Sequence, residues 1–270
     1  MKNKSSSLSP AQITGIVLLS AAAAAFFINS LLAIVIALFY ILLCVAASFF
    51  YWSNFYLPVI SRGNTGKKMV ALTFDDGPDE PTTRQILELL DKYAVKATFF
   101  VSGVNASKHP EIIKEIISRG HTVGNHSFHH NPFLMLGSYN YLYQEVSRAQ
   151  EVLQNLGVNV LAFRPPVGII SPKLPQVLNK LGLLCVTFSC RAADAGNRNI
   201  KNLSMRILKK VKADDIILLH DVNPRDKEDS AILLTKIEKI LQGMNEKGLK
   251  VVPLADLIDR EVMTMELSKN

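Results

Sequence analysis

The sequence predicts an α/β domain on a parallel sheet, either closed as a barrel or doubly wound, preceded by an apolar N-terminal segment. Two observations lead to this prediction. From Lys68 onward, about seven strand-like segments alternate with amphipathic helical segments in about 200 residues, which is typical of repeated β-α units. The first strand-like segment ends in two adjacent carboxylates, Asp75 and Asp76, and such proteins place their chemistry at strand ends.

The strand-like and helix-like segments alternate regularly along the chain. Strands are predicted where short runs are rich in β-branched and aromatic residues, at 69–74, 97–101, 121–125, 160–164, 183–189, 215–219 and 249–252. Helices are predicted where apolar residues recur at helical spacing, near 82–93, 110–119, 138–156, 173–181, 200–212, 231–247 and 254–260. No internal repeat interrupts the alternation, so we expect one large domain.

Two apolar runs, 11–28 and 31–50, precede this domain and are separated by the polar pair Asn29-Ser30. As helices they would be about 27 and 30 Å long, close to the hydrocarbon thickness of a bilayer. A signal peptide has a shorter apolar region, and a helix of a soluble domain would show a polar face. The runs therefore predict a transmembrane helical hairpin over 11–52, with a single spanning segment as the alternative. The aromatic residues at the second exit predict an interfacial belt: Phe49, Phe50, Tyr51, Trp52, Phe55 and Tyr56.

Charge is distributed unevenly along the chain. All 23 acidic residues and all but two of the 30 basic residues lie from Arg62 onward, and the net charge is +7. This mild excess, without a Lys/Arg block, suits anionic lipid better than a nucleic-acid groove, so no nucleic-acid partner is expected. Positive residues flank both ends of the hairpin, at Lys2 and Lys4 and at Arg62, Lys67 and Lys68. They predict an integral protein of a bacterial-type inner (plasma) membrane with its soluble domain facing the cytoplasm.

The adjacent carboxylates Asp75 and Asp76 are the first candidates for chemistry. Two neighbouring carboxylates at a strand end cannot both be desolvated cheaply without a counter-charge, and a bound cation is the simplest one. Asp-Gly is also common in solvated turns, so the pair alone leaves both interpretations open.

Three histidines follow the third predicted strand: His126, His129 and His130. His126 and His130 are four residues apart, so a helical turn or a tight loop would bring both imidazoles to one side. Two histidines with one carboxylate form a known hydrolytic zinc set that leaves a fourth position for water or substrate. A surface cluster is the alternative, and His129 is not assigned to the ligand set.

Two further strand-like segments end in reactive side chains. Arg164 precedes the rigid Pro165-Pro166 bend, which would hold it in place, and its charge would keep a neighbouring carboxylate ionised. His220 ends the segment 215–219 and is a candidate general acid at neutral pH. Each residue alone is more typical of a turn or a core position, but together with the acid pair and the histidine pair they form a joint pattern at four strand ends.

With these residues in place, the sequence resembles the polysaccharide deacetylase family, also described as NodB-homology or carbohydrate esterase 4 enzymes. The resemblance covers the chain from about Lys68 to Leu257. Its signatures appear in the family's order: Thr73-Phe74-Asp75-Asp76-Gly77, His126-Ser127-Phe128-His129-His130, Arg164-Pro165-Pro166 and Leu218-Leu219-His220. The resemblance implies a distorted (β/α) barrel of seven or eight units with its site in a groove at the strand ends.

The resemblance also implies roles for the matching residues. Asp75 would be the catalytic base and His220 the general acid. Asp76, His126 and His130 would bind one divalent metal ion, with zinc as the expected metal. The other implied positions orient the base or contact the substrate: Arg164 would keep Asp75 ionised and oriented, the Val167 N–H would bind the oxyanion, Leu218 would line the acyl pocket, and Pro166 would lie on the substrate side.

The sequence departs from the family pattern at the fourth signature, which often reads Asp-x-x-Asp-Trp. Here Arg191 replaces the first Asp and Ala195 replaces the Trp, whereas Asp194 is kept and could pair with His220 or Arg164. The missing Trp predicts an open groove wall, which leaves the acyl group and the glycan undetermined. Val167 stands where the family often has Tyr, a change of little consequence if only its N–H acts.

The implied reaction is hydrolysis of an N-acyl, most often N-acetyl, group on an amino sugar, with the sugar and membrane lipid as partners. A cytoplasmic domain suits a sugar on a lipid carrier, and an outward domain suits peptidoglycan or an exported polysaccharide. A non-catalytic glycan-binding or scaffolding membrane protein of the same fold is the alternative from another class. The predicted organisation is a tail (1–10), the hairpin (11–52), a linker (53–66), the catalytic domain (67–262) and a C-terminal tail (263–270).

Overall fold

The structure is a computed structural model that describes residues 8–224 and 230–265. Most of the predicted N-terminal tail, with Lys2 and Lys4, and residues 266–270 of the predicted C-terminal tail lie outside the described residues. The predicted alternation of strands and helices is confirmed, and the element boundaries differ from the prediction by only a few residues at most positions.

The chain begins with two antiparallel apolar helices, α1 (Pro10–Phe26) and α2 (Ser30–Ser48). Asn29, between them, accepts hydrogen bonds from the first backbone N–H groups of α2, which explains why the chain turns there. The Tyr40 hydroxyl donates to the Ala11 carbonyl at 3.1 Å and ties the helices together. Among the described residues, α2 is the one helix long and apolar enough to cross a membrane, whereas α1 is a shorter apolar helix of 17 residues. The transmembrane hairpin therefore stays a prediction.

The sheet explains why the predicted motifs come together. Its strands are β1 (Val59–Ile60), β2 (Met69–Asp75), β3 (Thr98–Val101), β4 (Thr122–Asn125), β6 (Ala162–Phe163), β7 (Leu184–Val186), β8 (Cys190–Arg191), β9 (Ile216–His220) and β10 (Lys250–Val251). Within the described residues these nine strands follow the order β1-β7-β6-β4-β3-β2-β9-β8, with β10 paired to the start of β2. Every pair is parallel, so the carboxyl ends of the strands meet at one edge.

The register and the two-residue period of β2 place the candidate base. Asp75 lies level with Phe100 of β3 and His220 of β9. Leu72 and Phe74 point toward the covering helices, whereas Ala71 belongs to the cluster on the concave side of the sheet. Asp75 shares the parity of Ala71, so its carboxylate faces that side.

Helices surround the sheet: α3 (Thr82–Lys92), α4 (Gly103–Lys108), α5 (Pro110–Ser118), α6 (Tyr139–Asn155), α7 (Leu174–Leu181), α8 (Leu203–Lys210), α9 (Ser230–Glu246) and α10 (Leu254–Ile258). The helices α3 to α6, α8 and α9 pack on β2, β3 and β9 in the largest core cluster, which includes Ile86, Leu90 and Ile237, each fully buried. In contrast, α10 packs in the cluster on the concave side. A second cluster joins α6 and α7 to Ala47 of α2 and to Tyr56. The N-terminal helices therefore pack against the domain.

Two segments that were predicted to flank the catalytic domain contain paired residues. In the predicted linker (53–66), β1 pairs with β7 and Arg62 forms an ion pair with buried Asp215. The predicted tail from 263 begins with a strand, β11 (Met263–Met265), which pairs antiparallel with β5 (Val158–Val160). β1 and β11 were missed because two and three residues without a longer flanking apolar run carry too little periodicity to be recognised in a sequence. The short elements α4 and β8 escaped prediction for the same reason.

Candidate active site

A cavity of about 720 Å³ opens at the carboxyl-terminal edge of the sheet. It is lined by predicted site residues from three of the signatures, from the turn after Arg164-Pro165-Pro166 and from the divergent segment after β8: Asp75, Asp76, His126, His130, Val167, Asp194, Leu218 and His220. Arg164 and Pro166, which are buried, do not line the cavity surface. The structure thus brings the predicted residues to one place, while their chemical roles stay predictions.

Asp75 is fixed by the fully buried Arg164. The Arg164 Nη1 donates to Asp75 Oδ1 at 2.6 Å and to the Thr73 hydroxyl at 2.8 Å, and Nη2 donates to the Thr187 carbonyl at 2.8 Å. The guanidinium also lies 3.9 Å from the centre of the Phe100 ring. These contacts hold Oδ1 of Asp75 and leave Oδ2, which lies 3.7 Å from His126 Nε2, facing the cavity.

Asp76, His126 and His130 converge on one point. Asp76 Oδ1 lies 3.0 Å from His130 Nε2 and 3.5 Å from His126 Nε2. This oxygen is buried and accepts no hydrogen bond from any described residue. The His126 Nδ1 lies 2.8 Å from the Arg164 carbonyl, which places the N–H there and turns the Nε2 lone pair toward Asp76. A buried carboxylate oxygen without a donor, faced by two ring nitrogens, fits a divalent cation.

The local backbone supports this convergence. Asp76, Ser127 and His130 all have positive φ, at 80°, 64° and 52°, a region that side-chain-bearing residues seldom occupy. The Asn125 carboxamide oxygen accepts from the Ser127 N–H at 2.9 Å, and the Ser127 hydroxyl accepts from the His130 N–H at 3.2 Å. The loop after β4 is therefore held in an uncommon conformation that aims both imidazoles at Asp76.

Electrostatics at the three residues match cation binding. Burial alone would raise the pKa of Asp76, but His126 and His130 hold it below its usual value. Burial and the neighbouring His126 lower the pKa of His130 to about 4, so its ring is neutral at pH 7, as a metal ligand must be. Burial opposes protonation of His126, but Asp75 and Asp76 raise its pKa overall, so a cation would bind there in competition with a proton.

His220 and Asp194 form a pair on the opposite wall. The His220 Nδ1 lies 2.8 Å from Asp194 Oδ2. The sequence allowed either His220 or Arg164 as the partner of Asp194, and the structure has His220. Burial alone would lower the pKa of His220, but the hydrogen bond and charge of Asp194 and the charges of the acid pair raise it to about 9. His220 is therefore protonated at neutral pH, with Nε2 as the remaining donor.

The turn after Arg164 places Val167 at the cavity. Val167 has φ 53° and an exposed fraction of 49%, and Leu218 also lines the cavity. Within the described part of the chain nothing accepts a hydrogen bond from the Val167 N–H. Pro166 is buried behind this surface, where it fixes the turn.

Sequence reasoning missed three supporting residues. Buried Asp221 accepts from the Gly77 N–H at 3.0 Å and from the Thr83 hydroxyl at 2.8 Å, which fixes the turn after the acid pair. Asn105 donates to the Asp76 carbonyl at 2.8 Å, and Glu145 accepts from His129 Nδ1 at 2.7 Å, which keeps His129 away from the cation position. Asp221 could have been suspected because it follows His220 directly, whereas Asn105 and Glu145 carry no local signal.

The chain is similar to known deacetylases over most of its soluble part. The polysaccharide deacetylase family model matches residues 62–186. A peptidoglycan-N-acetylglucosamine deacetylase of Bacillus cereus is 29% identical over 194 residues, covering 71% of this chain and 89% of the relative. A chitooligosaccharide deacetylase of Azorhizobium caulinodans is 31% identical over 203 residues, covering 72% and 96%. The crystal structure of a peptidoglycan N-acetylglucosamine deacetylase superposes with a TM-score of 0.68 at 30% identity, covering 79% of this chain and 98% of that one.

Proposed function

The chain belongs to the polysaccharide deacetylase family, and from that premise we propose that it hydrolyses the N-acetyl group of an amino sugar of the cell envelope, using one divalent metal ion. One observation carries the proposal. A base, a histidine–carboxylate pair and a three-residue cation site surround a single cavity, in the arrangement that amide hydrolysis requires.

We assign the metal ion to Asp76, His126 and His130, and zinc is the metal that a ligand set of two histidines and one carboxylate favours. When bound there, the ion would supply Lewis-acid polarisation of the acyl carbonyl and favour ionisation of water. The three side chains supply three ligands, which leaves room in the coordination sphere for water or substrate.

Asp75 is the proposed general base. Its Oδ1 is engaged by Arg164, so Oδ2 is the oxygen that takes the proton from the attacking water. Arg164 acts as a positioning residue, because it holds the carboxylate without reaching the cavity surface. The Val167 N–H is free to donate to the oxyanion of the tetrahedral intermediate.

His220 is the proposed general acid. Asp194 accepts a hydrogen bond from the Nδ1–H, so the Nε2–H is the proton that is given to the leaving sugar nitrogen. The C–N bond breaks as the nitrogen is protonated, and the products are a free amine on the sugar and acetate.

The substrate side of the proposal follows from the N-terminal helices. The Tyr51 carbonyl, three residues beyond α2, accepts from the Thr187 hydroxyl at 2.7 Å, and the Tyr51 ring lies 4.5 Å from that of Phe188, which lines the cavity. If α1 and α2 lie in a membrane, the cavity is held beside the lipid surface. We therefore propose a lipid-linked amino sugar as substrate for a cytoplasm-facing domain, with peptidoglycan or exported polysaccharide as the substrate of an outward-facing one.

The experiment is an assay of the full-length protein in detergent, freed of metal by chelation and reloaded with zinc. Acetate release from an N-acetylated amino sugar should disappear on chelation and return with the metal. His126→Ala and His130→Ala should lower both zinc content and turnover, whereas His129→Ala, whose ring is held by Glu145 away from the cation position, should keep the zinc content. Full turnover in the metal-free protein would contradict the proposal, and a fully occupied metal site without turnover would favour a non-catalytic glycan-binding protein.

A further inference from the structure

The cavity contains two arginines that the proposed reaction does not use. Arg191 and Arg198 both line it, and within the described residues neither side chain makes an ion pair or a hydrogen bond. Four other arginines, Arg62, Arg84, Arg119 and Arg164, each pair with a carboxylate. Two arginines in one cavity, neither with a described partner, can bind an anion through charge and hydrogen bonds.

Arg191 is held in position by aromatic rings. Its guanidinium carbon lies 5.2 Å from the centre of the Tyr51 ring and 5.5 Å from that of Phe188. Its backbone lies in β8, level with Leu218 of β9. An arginine beside aromatic rings keeps the edge of its guanidinium available for two parallel hydrogen bonds.

Arg198 projects from an anchored loop. The neighbouring Asn197 donates from Nδ2 to the His220 carbonyl at 3.0 Å and to the Val222 carbonyl at 2.7 Å. The Asn199 N–H donates to the Asp194 carbonyl at 3.0 Å, which closes the loop on its other side. Arg198 is exposed, but its backbone is fixed to the residues that carry the proposed general acid.

The carboxylates that face the same cavity are already engaged. Asp75 is bound by Arg164, Asp76 faces His126 and His130, and Asp194 is bound by His220. The positive charge of Arg191 and Arg198 is therefore not neutralised by the described residues around the cavity, and it remains for the substrate.

We propose that Arg191 and Arg198 form an anion subsite for a phosphate ester carried by the amino-sugar substrate, an inference that rests on the proposed deacylase function. Two guanidinium groups match the charge and the oxygen geometry of a phosphate. Arg191 lies beside Tyr51, which is three residues after the end of α2, so it is close to the helices predicted to lie in the membrane. This position favours a phosphate that joins the sugar to a lipid.

The test compares three substrates on the full-length, zinc-loaded protein: N-acetylglucosamine, its 1-phosphate, and the same sugar joined through phosphate to a polyprenol in detergent. The double variant Arg191→Ala/Arg198→Ala should lower kcat/KM for both phosphorylated substrates by roughly 10- to 100-fold, mainly through KM, and leave the neutral sugar within about twofold. Arg260→Ala is the matched control, because it removes an exposed arginine after α10. Arg191→Lys should keep part of the preference, because it keeps the charge but loses the paired donors.

A binding measurement separates this inference from the proposed function. Calorimetric titration of the Asp75→Asn protein should show tighter binding of the 1-phosphate than of the neutral sugar, and the arginine double variant on that background should abolish the difference. Arginine-dependent binding without turnover by the wild-type protein would refute the deacylase function and keep the subsite. Equal binding of both sugars, or a preference that survives the double variant, would overturn the subsite. Equal kcat/KM for the soluble and the lipid-linked phosphates would keep the subsite and exclude the lipid as its source.

Discussion

Asp75 and Arg164 form a buried ion pair next to the cavity. Such a pair is costly to desolvate, and its removal usually destabilises a protein, so its presence at a cavity points to a role in chemistry. Asp75→Asn keeps the shape of the side chain but cannot accept a proton. We expect kcat to fall by roughly 100-fold or more with unchanged zinc content, and the unfolding temperature to fall because buried Arg164 loses its counter-charge. Asp256→Asn, on the exposed side of α10, is the matched control. Retained turnover in a zinc-replete Asp75→Asn protein would remove Asp75 from the role of base.

The pair of His220 and Asp194 gives a pH prediction. His220 must be protonated to act as an acid, and its pKa is raised to about 9. We therefore expect activity below pH 9 and a loss of activity as the pH rises above 9. Asp194→Asn removes the negative charge that raises this pKa and leaves only a weaker hydrogen bond to a neutral carboxamide oxygen. We expect the alkaline limb of the kcat profile to move to lower pH, with the acid limb unchanged. An alkaline limb that does not move would show that it belongs to another group.

Most of the site could be predicted residue by residue, because each signature follows a strand and the parallel sheet collects strand ends. The pairing of Asp194 with His220 was one of two options in the sequence, and only the register of β8 and β9 decides it. Tyr51 was predicted only as part of an interfacial belt, since nothing local shows that it would meet Phe188 and Arg191 across the fold.

At the level of elements, His121 joins the end of α5 to the start of β3. Its Nδ1 accepts from the Ala97 N–H at 3.1 Å, and burial lowers its pKa to about 4. An unfolded histidine has a pKa near 6.5, so the unfolded state binds more protons between these values. The stability that depends on neutral His121 is therefore complete above about pH 6.5 and is lost as the pH falls toward 4.

We expect His121→Gln to be less stable than the wild type at pH 7 but to lose less stability between pH 7 and pH 5. Thermal unfolding of the detergent-solubilised protein at several pH values measures this. In His109→Gln, which changes a histidine at the start of α5, the unfolding temperature should change with pH as it does in the wild type. If the unfolding temperatures of His121→Gln and the wild type change equally with pH, a buried neutral His121 is contradicted.

The long elements were predictable because seven strands and seven helices each carry a clear apolar pattern. The paired segments that fix the N-terminal helices to the domain were not, because β1 has two residues and its partner β7 is more than 120 positions away. Because of this pairing, the segment after α2 is part of the domain's sheet, and its Tyr51 packs against Phe188, which lines the cavity.

At the scale of the whole molecule, the apolar helices and the catalytic cavity form a continuous structure. The Ile170 N–H donates to the Ser48 carbonyl at 3.0 Å, and the Ala11 N–H donates to the Phe55 carbonyl at 2.9 Å. Large apolar side chains are exposed on the loop beyond the proposed ligand His130, with Phe133 at 69% and Leu136 at 79%, and neighbouring Leu134 packs in the cluster that contains Ala47 of α2. A bilayer around the helices would therefore lie beside the cavity.

A substrate held in that bilayer would be confined to the same surface as the cavity, which raises its effective concentration. Ala195, at the position where the family often has Trp, leaves the groove wall open to a substrate other than a long glycan strand. We expect one zinc-loaded preparation to deacylate a lipid-linked amino sugar faster than chitin oligomers or peptidoglycan fragments.

The double variant Phe133→Ser/Leu136→Ser should reduce this preference for the lipid-linked sugar and leave the rate on soluble chitin oligomers unchanged, because these side chains would contact lipid and do not line the cavity. A reporter fused to the C-terminus, read for its side of the membrane, supplies the independent check. A preference for the polymeric glycans, together with an outward-facing reporter, would replace the lipid carrier by an envelope polymer and leave the deacylase chemistry as proposed.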